Sequence, residues 1–296
     1  MNDLGDYLFA WSWEPLTLFF VGLLGFAYLR GLRGLNPIKV RVVTNWRAAS
    51  FAVGLTLLLL SLISPIDTLG GRLFAFHMTQ HMLLTHVAVP LILLGAPVLP
   101  VARGMGYGIR RMTLIKLARA PQVRFVFHIL IHPLVGLAVF VGVIWSWHVP
   151  GAYAAAVTND FAHIGQHTSF ITAATLFWWA IIDPTPIRGK IPYLGRLVVV
   201  VMALSLTFPL AAMLTFAAAP WYAPYIGQEP LWGIDAMTDQ QIGGLIMWVG
   251  GIAPYFLAIA GLFIVAVQRD EEDTRRSRAA LYKNSPNHAP HRPATT

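Results

Sequence analysis

The sequence predicts an all-α integral membrane protein: a bundle of seven transmembrane helices, with its N-terminus outside and its C-terminus in the cytoplasm. Three observations predict it. Of 296 residues, 56% are hydrophobic and only 11% are charged, whereas a soluble domain carries about 25% charge. The apolar residues fall in blocks of the ~20 residues a helix needs to cross the hydrocarbon, not in the ~10-residue alternating segments of a barrel. The basic residues are confined to alternate connections, as the positive-inside rule requires.

The first span is read at about 15–30. Residues 1–14 hold Asp3, Asp6 and Glu14 but no Lys or Arg. They lack the positive region of a cleavable signal, so this block is expected to stay in the mature protein. Arg30, Arg33, Lys39, Arg41 and Arg47 follow it and mark a cytoplasmic loop. Span 2 (about 47–65) returns to the outside, where Arg72 is the lone basic residue. Span 3 (about 76–99) leads in to Arg103, Arg110, Arg111, Lys116, Arg119 and Arg124, and span 4 (about 124–147) leads out. Span 5 (about 163–182) precedes Arg188, Lys190 and Arg196. Span 6 (about 196–219) and span 7 (about 241–267) complete the bundle. All of the 21 basic residues except Arg72 thus fall on one side. Trp11, Trp13, Trp145, Trp147, Trp221 and Trp232 lie near the outer ends, as an interfacial belt would.

Residues 1–268 therefore form one transmembrane domain. The basic stretch 269–296, ending PNHAPHRPATT, reads as a mostly disordered cytoplasmic tail. The net charge of +8 does not indicate nucleic acid, because it sits between apolar blocks. The absence of cysteine excludes disulfides and thiolate metal sites.

No carboxylate or lysine falls in mid-span. Eight of the ten histidines lie in or at the ends of spans 3, 4 and 5. Ionisable groups there are costly and point to function. Span 3 opens with His77-Met78-Thr79-Gln80-His81-Met82. Its two histidines share a helix face one turn apart, and its two methionines share another. Span 5 opens with a second such pair, His163 and His167, around Gln166. Span 4 ends at the same level with His148, before Pro150 and Gly151. Imidazole binds copper, zinc and iron, and thioether favours Cu(I), so this cysteine-free cluster on the oxidising side points first to copper. The competing reading is interfacial histidines hydrogen-bonding between helices.

Asp239-Gln240-Gln241 opens span 7 at the same surface. Asp239 is expected either to orient a ligating imidazole or to start its own helix as a cap. Deeper in, His86, His132 and His128 fall towards mid-membrane, as stepping stones for an ion or as buried neutral groups bonded to carbonyls. His86 lies roughly 140–180° from the His77/His81 face on an α-helical wheel, and so outside the outer cluster. Pro90, Pro97 and Pro209 are candidate kinks, and Gly243-Gly244 and Gly250-Gly251 allow close helix approach.

The run His77 to Leu84, continuing through Pro90 to Gly95-Ala96-Pro97, resembles the CtaG family, multi-pass assembly factors of haem-copper cytochrome c oxidase associated with copper delivery. Further matches are His132-Pro133, then His148, Pro150, Gly151 and Tyr153, and the His163/His167 pair. They continue with Leu214-Thr215-Phe216, Trp221-Tyr222-Ala223-Pro224-Tyr225 and Asp239 to Trp248. The similarity covers roughly residues 10–268. One position departs. Many members carry an acidic residue where Gln166 stands, and a neutral amide adds no charge to a bound ion.

The resemblance implies a non-enzymatic assembly factor in the bacterial cytoplasmic (inner) membrane. Its partners would be terminal oxidase subunits and a soluble copper chaperone on the outer side. Cu(I) would lie in an accessible site between the outer ends of spans 3, 4 and 5. His77, His81, His163 and His167 are the first ligands, Met78, Met82 and His148 the next, and Asp239, Gln240, Gln166 and His132 their support. Two other readings use the same residues: haem ligated by the His pairs, and a copper or proton permease through His86 and His132. A retinal receptor is disfavoured, since all four lysines lie in cytoplasmic segments.

Overall fold

In a computed structural model of the chain, residues 7, 9–33, 43–114, 116, 119–184 and 191–283 are described. Among them the chain is helical, without a strand beyond one isolated bridge, Leu231 to Ile234. In order come α1 (Pro15–Arg33), α2 (Asn45–Ile63), the short α3 (Pro65–Gly70) and α4 (Phe74–Met82). A π-helical turn, Leu83–Ala88, carries α4 into α5 (Val89–Leu94), and α6 (Val98–Gly104) follows. Then come α7 (Pro121–Leu130), α8 (Pro133–Trp147), α9 (Pro150–Thr158), α10 (Asp160–Ile182), α11 (Tyr193–Thr215) and α12 (Ala236–Lys283).

Four of these, α1, α2, α11 and α12, are long and apolar enough to cross a membrane. Two bent pairs raise the number to six if each counts as one span: Phe74–Leu94 with α6, bent by 73°, and α7 with α8, bent by 65°. Length and composition thus give four to six spans among the described residues, where seven were expected. The difference is α10. Its 23 residues are enough in length, but it opens on His163, Gln166, His167, Thr168 and Ser169, which lower its apolarity.

The bends have local causes. Pro133 has no N–H and crowds the preceding turn, and it forces His132 into extended backbone (φ −67°, ψ 130°). Span 4 is therefore broken between His128 and His132, which do not share one helix face as expected. Pro209 and Pro254, by contrast, stay inside continuous helices.

The last helix is longer than expected. At 1.5 Å per residue its 48 residues reach about 72 Å, over twice the ~30 Å hydrocarbon. The stretch expected to be disordered is helical as far as Lys283, since a membrane span supplies the costly helix nucleus and only propagation remains. Arg275–Glu271 (3.5 Å) and Arg276–Glu272 (3.7 Å) form i, i+4 pairs on its surface. Residues 284–296 lie outside the described residues, as do Lys39, Arg41, Arg188 and Lys190.

The main core lies between α4, α8, α10, α11 and α12, around Phe74, Met78, Phe140, Phe177, Val200 and Tyr255. Two glycines let α12 enter it. A Cβ on Gly243 would run into the Phe74 ring, and one on Gly244 would stand 2.7 Å from the Thr215 amide. Gly243→Leu should therefore overpack the α4–α12 contact and cost about 1–3 kcal/mol, read as a lower Tm. Gly22→Leu, at an open position, should leave Tm nearly unchanged.

Candidate metal centre

The site is built on α4, whose start needs outside help. Leu73 precedes it and has no side-chain oxygen to cap the first amides. Asp239 of α12 supplies the acceptor. Its carboxylate takes the N–H of Phe74 at 2.6 Å and of Ala75 at 3.0 Å, placing negative charge at the positive helix end. Asp239 is thus a cap, but for a different helix than expected, and it bonds to no imidazole. Its own helix is capped by Asp235, which accepts from Met237 and Thr238. The Thr238 amide holds the Asp235 carboxyl below its usual range. The rotation of α4 is fixed by Gln80, whose Nε2 donates to the Ser61 carbonyl (2.8 Å) and to Asp67 Oδ1 (2.7 Å).

With α4 so placed, its two histidines meet those of α10. The rings of His77 and His81 are 4.3 Å apart. His167 lies 5.5 Å from His81, and His163 lies 4.2 Å from His167 and 5.7 Å from His77. Ring nitrogens of His77, His81 and His167 all fall within 4.8 Å of one another. These three are 2, 3 and 7% exposed, while His163 is half-buried. The cluster is therefore closed rather than open at the membrane edge as expected, and only His163 shows a face outward. The reason is a roof of aromatic rings on α9 and the 222–225 loop.

Several buried nitrogens in the cluster have no protein partner: both of His81, Nε2 of His167 and Nε2 of His148, with Nε2 of Gln166 beside them. Such groups cost about 1–3 kcal/mol each when left bare. His77 Nε2 lies 3.2 Å from Gln166 Oε1. His148 Nδ1 donates to the Ile144 carbonyl at 2.7 Å, which leaves the Nε2 lone pair available as a ligand.

A cavity of about 30 Å³ adjoins the cluster, lined in part by Met78, His81, Met82, Thr85, His86 and His148. His86 was not expected there. The π-turn Leu83–Ala88 explains its arrival. Residues five apart stack in an i→i+5 turn, so His86 comes round towards the face of His81. Pro90, with no N–H to give, would leave the Thr85 carbonyl bare in that register. Trp178 Nε1 takes that carbonyl at 2.8 Å, and the Thr85 hydroxyl bonds back to the His81 carbonyl at 2.6 Å. His86 itself bonds Thr85 Oγ1 (2.8 Å) and the Tyr255 hydroxyl (3.2 Å).

The roof is Tyr153 of α9 with Tyr222 and Tyr225. Tyr222 donates to the His148 carbonyl (3.2 Å), Tyr225 donates to the Gly70 carbonyl (2.8 Å), and the Tyr153 and Tyr225 hydroxyls are 3.0 Å apart. Burial pushes the phenols of Tyr222 and Tyr225 up, keeping them neutral. Sequence reasoning gave these tyrosines no role. Their signal was a dense run of aromatics beside Pro and Gly in a connection. Two other expectations fall away from the cluster. Gln240 accepts the Trp221 amide at 2.6 Å and so holds the roof loop. His132 sits exposed at the α7–α8 break, as does His128 on α7.

The structure thus gathers His77, His81, His163, His167 and Gln166, with His148, Met78 and Met82 against the adjoining cavity. Converging imidazole nitrogens with thioethers nearby are the donor set of a soft or borderline ion such as copper, and the bare nitrogens leave room for such bonds.

A family model described as cytochrome c oxidase caa3 assembly factor (Caa3_CtaG) matches residues 26–269. The chain is 28% identical over 274 residues to an uncharacterized protein of Mycobacterium leprae, covering 88% of this chain and 40% of that one. Relatives in Mycobacterium bovis and Mycobacterium tuberculosis, also uncharacterized by name, are 26% identical over 281 residues, 91% of this chain and 41% of theirs. The chain therefore spans about two fifths of the length of these curated relatives. No solved structure matches significantly.

Asp239→Ala should bare two buried amides, at about 1–3 kcal/mol each. A lower Tm and faster hydrogen exchange at Phe74 and Ala75 are expected. Asp235→Ala, at an exposed cap of α12, should lower Tm less and leave those two amides protected.

Proposed function

The chain belongs to the Caa3_CtaG family of cytochrome c oxidase caa3 assembly factors, and from that membership we propose that it takes part in copper delivery to the oxidase, holding Cu(I) as cargo at the histidine cluster. The observation that carries this reading is the set of buried ring nitrogens on His81, His148 and His167 that no protein group satisfies. An ion bound there would offset their cost, and neutral imidazole is the form that ligates.

In this reading His77, His81 and His167 hold the ion. Gln166 fixes the ring of His77, and His148 with Met78 and Met82 offer alternative donors from the adjoining cavity. His163, half-buried and 4.2 Å from His167, is the point of entry and exit. Several interchangeable donors suit cargo, because release to a partner proceeds by exchanging ligands one at a time. The adjoining cavity, at about 30 Å³, has room for water or an ion and none for a porphyrin, so the cluster favours metal over haem.

The orientation proposed is N-terminus out and C-terminus in. It rests on the distribution of basic residues: Arg30, Arg47, Arg103, Arg196 and Arg269 lie at the helix ends away from the cluster, and Arg72 lies near it. The cluster then faces the oxidising side of a bacterial inner membrane. There it would receive copper from a soluble donor and pass it to oxidase subunits. We read the protein as a binding and transfer factor rather than an enzyme, serving a haem-copper oxidase.

Detergent-purified protein incubated with Cu(I) under reducing conditions should bind copper stoichiometrically, without a Soret band. His77→Ala/His81→Ala should lose that copper and block oxidase maturation in cells. His163→Ala should keep the copper but load it more slowly. Full copper content and normal maturation in the double variant would sink the reading.

A further inference from the structure

A second cavity lies at the opposite end of the bundle from the roof. It encloses about 610 Å³ between the start of α2, α5, the end of α10, the start of α11 and the middle of α12. That size falls within the ~300–1,000 Å³ of small-molecule sites. Its lining divides by chemistry. Towards the histidines the walls are apolar, with Pro90, Leu94, Pro254 and Leu257 among them. At the far end stand Arg47, Arg196 and Arg269, with Asp183 as the single carboxylate among the described residues.

The charged end is fixed in place. Arg196 is buried and bonds Asp183 at 2.7 Å and the carbonyls of Ile181 and Ile191, each at 3.3 Å. Asp183 ends α10 in the left-handed region, at φ 54°. That conformation is uncommon for a residue other than glycine, and the ion pair holds it. The guanidinium groups of Arg196 and Arg269 flank the Tyr193 ring, at 5.1 and 5.2 Å from its centre. The apolar end opens sideways, since Leu257 is 74% exposed and Leu94 36%. Both belong to segments apolar enough to lie in a membrane.

We propose that this cavity binds an anionic phospholipid, with its phosphate on the arginine end and an acyl chain along Pro90, Leu94 and Leu257. Three arginines against one carboxylate make the charge balance positive, and Arg is the side chain best matched to phosphate oxygens. Entry from the side suits a molecule already in the bilayer. A soluble anion alone would leave the apolar walls unused. A haem, whose carboxylates could also meet the arginines, would need a free imidazole at the inner end. There His86 already bonds Thr85 and Tyr255. The proposal is independent of copper at the other end.

The test uses the full-length chain, delipidated and returned to nanodiscs of phosphatidylglycerol or phosphatidylcholine, with native mass spectrometry and thermal unfolding as readouts. Phosphatidylglycerol should be retained after mild delipidation and should raise Tm, and phosphatidylcholine should do neither. Arg47→Gln/Arg269→Gln should weaken retention of phosphatidylglycerol roughly thirtyfold and remove the rise in Tm that phosphatidylglycerol gives over phosphatidylcholine for the same variant. Arg103→Gln, which removes an exposed arginine outside the cavity, should keep it. Equal retention of both lipids, equal loss in the Arg103 variant, or the same stabilisation by inorganic phosphate alone would each overturn the proposal. So would a Soret band on haem addition that the double arginine variant loses.

Discussion

A backbone amide or carbonyl inside a bilayer has no water to bond, so every break in a helix must be repaired by the protein itself. Much of this molecule follows from that demand. The bare start of α4 is met by Asp239. The carbonyl released by Pro90 and the π-turn is met by Trp178. Just past the end of α5, Tyr28 donates to the Gly95 carbonyl at 3.0 Å. Trp145 covers the Leu206 carbonyl three residues before Pro209. Each repair joins two helices, so the irregular positions are also where the bundle is tied together.

Against that background the histidine cluster is an exception. Around it the tyrosine hydroxyls find partners, yet His81 keeps both ring nitrogens bare, His148 and His167 keep one each, and Gln166 keeps its Nε2 bare beside them. Nearby groups are spent on holding these rings rather than on satisfying them. Gln80 and Asp67 set the roll of α4, and the Ile144 carbonyl sets the tautomer of His148. A polar interior left open in this way gives up stability and leaves nitrogen lone pairs without a partner.

Features whose cause lies within a turn or two of chain were legible in the sequence. The two i, i+4 histidine pairs were readable because a spacing of four is one helical turn, and their convergence followed from consecutive spans meeting at one level. Gly243 and Gly244 of α12 were visible as close-approach sites, whereas Gly251, read the same way, has nothing within 4 Å of where a Cβ would stand. Proline was less readable. Pro90 yields a π-turn, Pro133 a 65° break and Pro209 a continuous helix, because the outcome depends on which distant side chain can take the freed carbonyl. The position of His86 failed for that reason: a strict α-helical wheel puts it on the wrong face. The failure at Asp239 was similar. Its own neighbourhood reads as a helix start, and nothing nearby shows that α4 lacks a cap. The count of spans suffered from the cluster itself, since the polar residues that α10 brings to it also weaken the apolar signature of the helix.

The Asp239 cap has a consequence for the order in which the molecule is made. The carboxylate and the Phe74 amide it holds are separated by 165 positions, and chains are synthesised from the N-terminus. The helix that carries His77 and His81 emerges first and waits, with its leading amides unpaired, until the start of α12 has been made. Loop closure over such a distance comes late. A nascent chain that lacks α12 therefore presents the imidazoles without the geometry that aligns them, and the cluster is set only as α12 docks. Docking of α12 is in this sense a checkpoint written into the fold, separating an aligned histidine cluster from a partly formed one.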